Sequence, residues 1–232
     1  MLQRPKRLIG YLAHATDGYM GKMRDFLFDD RTGQVRHLVI GIAEQGKIRD
    51  VLLPLECVHF IHPQGQEIFV TLSRADILAS PCIDTDPPVW WQKGGRWGFL
   101  LAGFPWFSAG GLQAELPVIC VWPGKERGQD VAKGDPHLRS VEEVVTYAIK
   151  GVDGRAGFVR DFLMNTDKWV IQDIVVKTRR WLPGREVLVS WTKVQEVDYD
   201  KTEVRVGKTR NEVRNSPRYA PEVVGPITYG VG

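Results

Sequence analysis

Cys57, His59 and His62 come closest to a metal-ligand set, because residues two apart on an extended strand share a face and Cys57 and His59 would point the same way. Zinc needs three or four ligands in fixed geometry, and no Cys-x-x-Cys or His-Glu-x-x-His run supplies the remainder. The expectation is a half-buried thiol beside solvated imidazoles at a strand end. Three acidic pairs, Asp29-Asp30, Asp84-x-Asp86 and Asp198-x-Asp200, have the residue type for proton transfer or cation binding. Asp is equally favoured in turns, where it bonds its own backbone, and that role needs no substrate. The chain has no Gly-x-Ser-x-Gly elbow and no Gly-x-x-x-x-Gly-Lys phosphate loop. From these residues we expect no catalytic group, no metal and no bound cofactor.

Binding chemistry is better represented. Lys177, Arg179 and Arg180 beside Trp181 form a basic-aromatic group of the kind that touches phosphate or stacks on bases, although a solvated loop has the same composition. Trp90, Trp91, Trp97, Phe99, Phe104, Trp106 and Phe107 crowd into one stretch. Each large aromatic side chain buries about 150–250 Å² when covered, so the stretch should be buried between other elements or form a contact with a protein or a second copy of the chain. It is too short, and too rich in Gly and Pro, to cross a bilayer, but its Trp and Phe also suit insertion at a membrane surface.

The totals narrow the classes. With 232 residues, 43% hydrophobic and 25% charged, the chain can build one or two ordinary cores. Its net charge of +3 is spread without a strongly basic segment, whereas phosphate neutralisation supplies most of a nucleic-acid binder's affinity. Nucleic acid is therefore the weaker expectation. An odd count of three widely spaced cysteines suits a reducing compartment. The start Met-Leu-Gln-Arg-Pro-Lys-Arg has charges and no apolar stretch behind it, and no apolar run reaches the ~18 residues a membrane span needs. The expected location is cytoplasmic or peripheral at the inner face of a membrane.

The elements that must position these groups are duplicated. DGYMGKMRDFLFDD from Asp17 aligns with DGRAGFVRDFLMNT from Asp153 at an offset of 136 residues, and from Tyr11 to Pro81 the offset holds without a gap, with 18 identities in 71 positions. Each copy reads as short strands separated by turns. Asp17-Gly18 and Asp153-Gly154 are hairpin dipeptides, and Asp30-Arg31-Thr32-Gly33 is a further turn. Strands are expected at 23–28, 35–42, 48–53, 58–61 and 68–72, with 185–189 matching the third. Ser73-x-x-Asp76 and Thr209-x-x-Glu212 announce one short helix per copy. A curled antiparallel sheet of this size must close or cover its edges, which favours a small barrel.

The pattern DG-x-x-G-x-x-x-DFL, at Asp17, Gly18, Gly21, Asp25, Phe26 and Leu27 and again at Asp153, Gly154, Gly157, Asp161, Phe162 and Leu163, resembles the PRC-barrel domains, named for the cytoplasmic domain of the photosynthetic reaction-centre H subunit. Trp181-Leu-Pro-Gly-Arg-Glu-Val-Leu188, Asn215-Ser-Pro-Arg-Tyr219 and the lead-in Gly134-Asp-Pro-His-Leu-Arg-Ser140 add to the likeness. The first copy departs from it at Gly46-Lys-Ile-Arg49. The resemblance implies two tandem antiparallel β-barrels, at 1–83 and 140–220, with an aromatic and Gly/Pro-rich connector at 84–139 and a tail at 221–232. It also implies a non-enzymatic adaptor that docks onto a protein partner such as a membrane or electron-transfer complex. A similar barrel in the ribosome maturation factor binds a ribosomal protein, so an RNA- or ribosome-associated module is the alternative.

Overall fold

A computed structural model describes residues 2–44, 46–93, 134–178 and 185–220. The described chain is mainly β, and its strands form two seven-stranded sheets. In the first half these are β2 (Leu12–Ala15), β3 (Gly18–Asp29), β4 (Val35–Glu44), β5 (Lys47–Pro54), β6 (Val58–His62) and β7 (Glu67–Val70). They lie in the order β5-β4-β3-β2-β7-β6. The second half repeats the scheme with β9 (Ala148–Gly151), β10 (Gly154–Asn165), β11 (Val170–Lys177), β12 (Glu186–Ser190), β13 (Val194–Asp198) and β14 (Glu203–Val206), in the order β12-β11-β10-β9-β14-β13. The terminal strands of each path are neighbours in sequence: the 3₁₀ turns Leu55–Cys57 and Trp191–Lys193 join them, so each sheet must curl.

Turn chemistry accounts for this layout. Gly18 and Gly154 have φ of 129° and 125°, which an L side chain rarely adopts, and each opens the long strand of its half. The preceding Asp17 and Asp153 accept the backbone N–H of Arg74 and Arg210 at 2.8 and 2.6 Å, tying each hairpin turn to the helix that ends its copy. Those helices, α2 (Arg74–Ala79) and α5 (Arg210–Arg214), begin in the capping boxes expected at Ser73/Asp76 and Thr209/Glu212. Pro54 is the last paired residue of β5, opposite His37. Beyond the helices, backbone bridges Val51–Cys82 and Val187–Arg218 lay the chain along β5 and β12.

The two halves exchange their leading segments. β1 (Leu2–Gln3) pairs with β10 of the second half, setting Leu2 opposite Asn165, while β8 (Leu138–Ser140) pairs with β3 of the first, setting Leu138 opposite Asp29. Shifting either pairing by the repeat offset of 136 gives the other. The helices that follow, α1 (Pro5–Leu8) and α4 (Val141–Val144), cross over with them. Gln34 forms a bridge with Val170, its own counterpart in the repeat, and the flanking bonds Val35 N to Trp169 O and Ile171 N to Gly33 O, both 2.8 Å, are related in the same way. A pseudo-two-fold axis therefore passes between Gln34 and Val170.

One buried apolar cluster runs through both halves. Near the axis Phe28 meets Phe162 at 5.7 Å between ring centres and meets Trp191 edge-on at 5.6 Å. Fully burying each such phenylalanine stabilises the fold by about 1.5–3 kcal/mol. A smaller cluster of Leu27, Val39, Leu52, Ile83 and Leu138 is covered by Trp91 of α3 (Val89–Gln92), so the start of the connector packs on the first sheet.

Candidate docking surface

The shared motif is an architectural device. Asp17 and Gly18 make the turn, and a Cβ on Gly21 would lie 2.3 Å from the carbonyl oxygen of Gly41 on β4. Gly157 is confined in the same way, 2.7 Å from the Lys177 carbonyl. Asp25, buried on β3, accepts hydrogen bonds from the Ser140 hydroxyl and the backbone N–H groups of Phe26 (2.8 Å) and Glu142 (3.2 Å). Its counterpart Asp161 accepts from Phe162 N–H at 2.9 Å, from Arg4 Nε at 2.7 Å and from Lys6 N–H at 3.4 Å. Each motif aspartate thus receives the segment that crosses from the other half. Burial raises the Asp25 carboxyl to about 7, against the hydrogen bond from Ser140.

Within the repeat each position has a counterpart, and differences between the halves mark where they have specialised. One difference lies on the outward face of the first sheet. Tyr19 of β3 is paired across β2 with His14, His14 with Phe69 of β7, and Phe69 with Phe60 of β6. Phe69 stacks on His14 at 4.9 Å and on Phe60 at 4.5 Å, with the planes 18° and 9° apart, and Tyr19 meets His14 edge-on at 6.0 Å. The row runs across four strands. The equivalent positions of the second half are Arg155, Lys150, Arg205 and Glu196. There Arg205 is paired with Glu196 at 2.7 Å and Lys150 with Glu203 at 3.5 Å, an ordinary ion-paired surface.

The second difference is a charged cluster beside β8. Asp30 binds Arg139 Nε at 2.7 Å and His137 Nδ1 at 2.9 Å, Arg139 also donates to the carbonyl of Val197 at 3.0 Å, and Arg36 bridges Asp29 and Asp135. Burial works against the Asp29 charge, but hydrogen bonds from Arg31 and Thr32 and the nearby Arg36 outweigh it and hold the carboxyl down at about 2. Glu143, half-buried nearby and accepting from Tyr147 Oη at 2.6 Å, is pushed up by desolvation to about 7. Arg139 lines an open cleft with Gln92 and Lys93 on one side and Tyr199 to Lys201 on the other.

That cleft holds the root of the connector. Gln92 Nε2 donates to Pro87 O at 2.7 Å and to Asp135 O at 3.0 Å, and Lys93 binds the Asp200 carboxylate at 2.7 and 2.8 Å, with its ammonium 5.2 Å from the centre of the Tyr199 ring. Gln92 thus ties the residues just before 94–133 to Asp135, just after it.

Of the sequence-selected residues, Trp90 and Trp91 lie in α3 with rings edge-to-face at 5.3 Å. Trp97, Phe99, Phe104, Trp106 and Phe107 lie outside the described residues, as do Arg179, Arg180 and Trp181. Lys177 ends β11 opposite Glu186. Cys57 and His59 do not share a strand face. Cys57 sits in a 3₁₀ turn, where its thiol donates to the Pro54 carbonyl at 2.8 Å and burial pushes it up to about 11, whereas His59 is exposed on β6. The described residues contain no group of three His, Cys, Asp or Glu arranged to hold a metal ion. The acidic pairs serve turns and ion pairs: Asp29 caps Arg31 and Thr32, Asp86 lies 3.3 Å from His37, and Asp198 holds Lys201. The aromatic row escaped the sequence reading because its members come from four separate strands. Comparing outward positions between the repeats was the signal that would have found it.

A scan against protein-family models finds no match for this chain, and a search among curated proteins finds none either. No helix among the described residues is long and apolar enough to cross a membrane.

Proposed function

We propose that this chain is a docking adaptor of the PRC-barrel type, in which each sheet curls into a barrel that stays open between the first and last strands of its path, with no chemistry of its own. Its partner is a protein assembly such as a membrane or electron-transfer complex. The observation that carries this reading is the rooted connector: the segment 94–133 departs from and returns to one pinned site, with Trp90 and Trp91 at its base and Trp97, Phe99, Phe104, Trp106 and Phe107 along it. A long aromatic insertion on a rigid scaffold is how many folds carry a binding function. The motif supports the same reading, since its aspartates and glycines serve turns, close strand approach and the exchanged segments.

Affinity capture from solubilised membranes and from cytosol tests it, using the whole chain and a variant with Trp97, Phe99, Trp106 and Phe107 changed to Ala. A partner held by the former and released by the latter is expected. Recovery of no specific partner by the unchanged chain, or equal recovery by both, would contradict the adaptor reading.

A further inference from the structure

We propose that β6 is a self-association edge, along which two copies of this chain pair antiparallel over Val58–His62 with their Phe60 rings meeting at the two-fold axis. β6 ends the first sheet, and among the described residues it pairs with β7 alone. Three of its five residues, Val58, Phe60 and Ile61, are apolar, yet not one of the five is buried. The strand has no Lys, Pro, Asp or Glu, the residues that normally keep a sheet edge from pairing with another chain.

The other half shows what a guarded edge looks like in the same place. β13 carries Glu196 and Asp198, which would bring like charges together if two copies met there, and its Val197 carbonyl already accepts from the buried Arg139 at 3.0 Å. A free edge calls for an extended strand as its occupant. The aromatic row points to a second copy in particular. Because the Phe69–Phe60 stack ends at β6, a two-fold at Phe60 continues it as Phe69–Phe60–Phe60–Phe69 through the interface. The same axis sets Val58 opposite His62 and His59 opposite Ile61, so no two carboxylates or ammonium groups face each other. This inference does not rest on the adaptor reading, since it uses only the edge of β6 and the aromatic row.

Sedimentation velocity of the whole chain over a concentration series tests it, with Phe60→Glu, which writes the residue found at Glu196, and His59→Lys, a charge placed on the edge. The unchanged chain should dimerise. Each variant should weaken the dimer by roughly tenfold or more while keeping the thermal unfolding midpoint measured at a concentration where both proteins are monomeric. His59→Lys, on an exposed side chain, keeps the test decisive should Phe60→Glu fold poorly. A chain that stays monomeric throughout the series, or folded variants that dimerise as well as the unchanged protein, would overturn the proposal.

Discussion

Asp25 and Asp161 occupy equivalent positions and are answered differently: Asp161 has the guanidinium of Arg4, whereas Asp25 has only a hydroxyl and backbone N–H groups. A buried carboxyl without a countercharge is more stable protonated, and at about 7 the folded-state value of Asp25 lies well above the ~3.9 of an unfolded Asp. The native state therefore binds this proton more tightly than the unfolded chain, so its contribution to stability is full below pH ~4 and is lost as pH rises through 7. Asn mimics the neutral acid: its Oδ1 accepts from Phe26 and Glu142 and its amide donates to Ser140 Oγ. Urea unfolding of Asp25→Asn should show a shallower fall in stability between pH 4 and 7 and a gain over the unchanged protein at pH 8. An unchanged slope would show that Asp25 is ionised and well solvated. At the other crossing, Arg4→Met leaves the buried Asp161 carboxylate unpaired and should destabilise by about 3–5 kcal/mol, measured as a fall in urea midpoint. The DFL aspartates stood out in the sequence, but their partners did not. Ser140 lies 115 residues from Asp25 and Arg4 lies 157 from Asp161, and nothing local links them.

Strands, turns and the two capping boxes follow from short-range chemistry, which is why they could be read before the fold. Positive φ at Gly18 and Gly154 and the Ser73 and Thr209 caps depend on residues no more than a few positions away. Ser73→Ala and Thr209→Ala should each cost about 1 kcal/mol in chemical unfolding, with similar values because the boxes are alike. Gly21 is a different case: its constraint comes from β4, so Gly21→Ala should cost about 1–3 kcal/mol through overpacking, more than either cap change at its upper end. A neutral Gly21→Ala would mean that β3 and β4 do not approach as closely as Gly41 O requires. The aromatic row belongs to this scale as well. It is assembled by the registers His14–Phe69 and Phe60–Phe69, and a single strand shows only one ring of it.

At the scale of the molecule, the duplication was readable and the exchange was not. An offset of 136 residues reveals two like sheets, yet Leu2 and Leu138 fit the edge of either long strand equally well, so the sequence alone could not say which one each would join. The answer depends on how the halves pack about Gln34 and Val170, a contact between residues 136 positions apart in the chain. With reciprocal strands, shared aromatics around Phe28, Phe162 and Trp191, and one continuous core, the halves should unfold together and neither should be stable alone. The most direct measurement is native mass spectrometry of the chain after a site-specific protease has cut once within residues 94–133. Two fragments that stay together in equal numbers, in the same assembly as the uncut chain, and melt as it does are the expected result. Fragments that part under native conditions, each keeping its own fold, would contradict the reciprocal exchange.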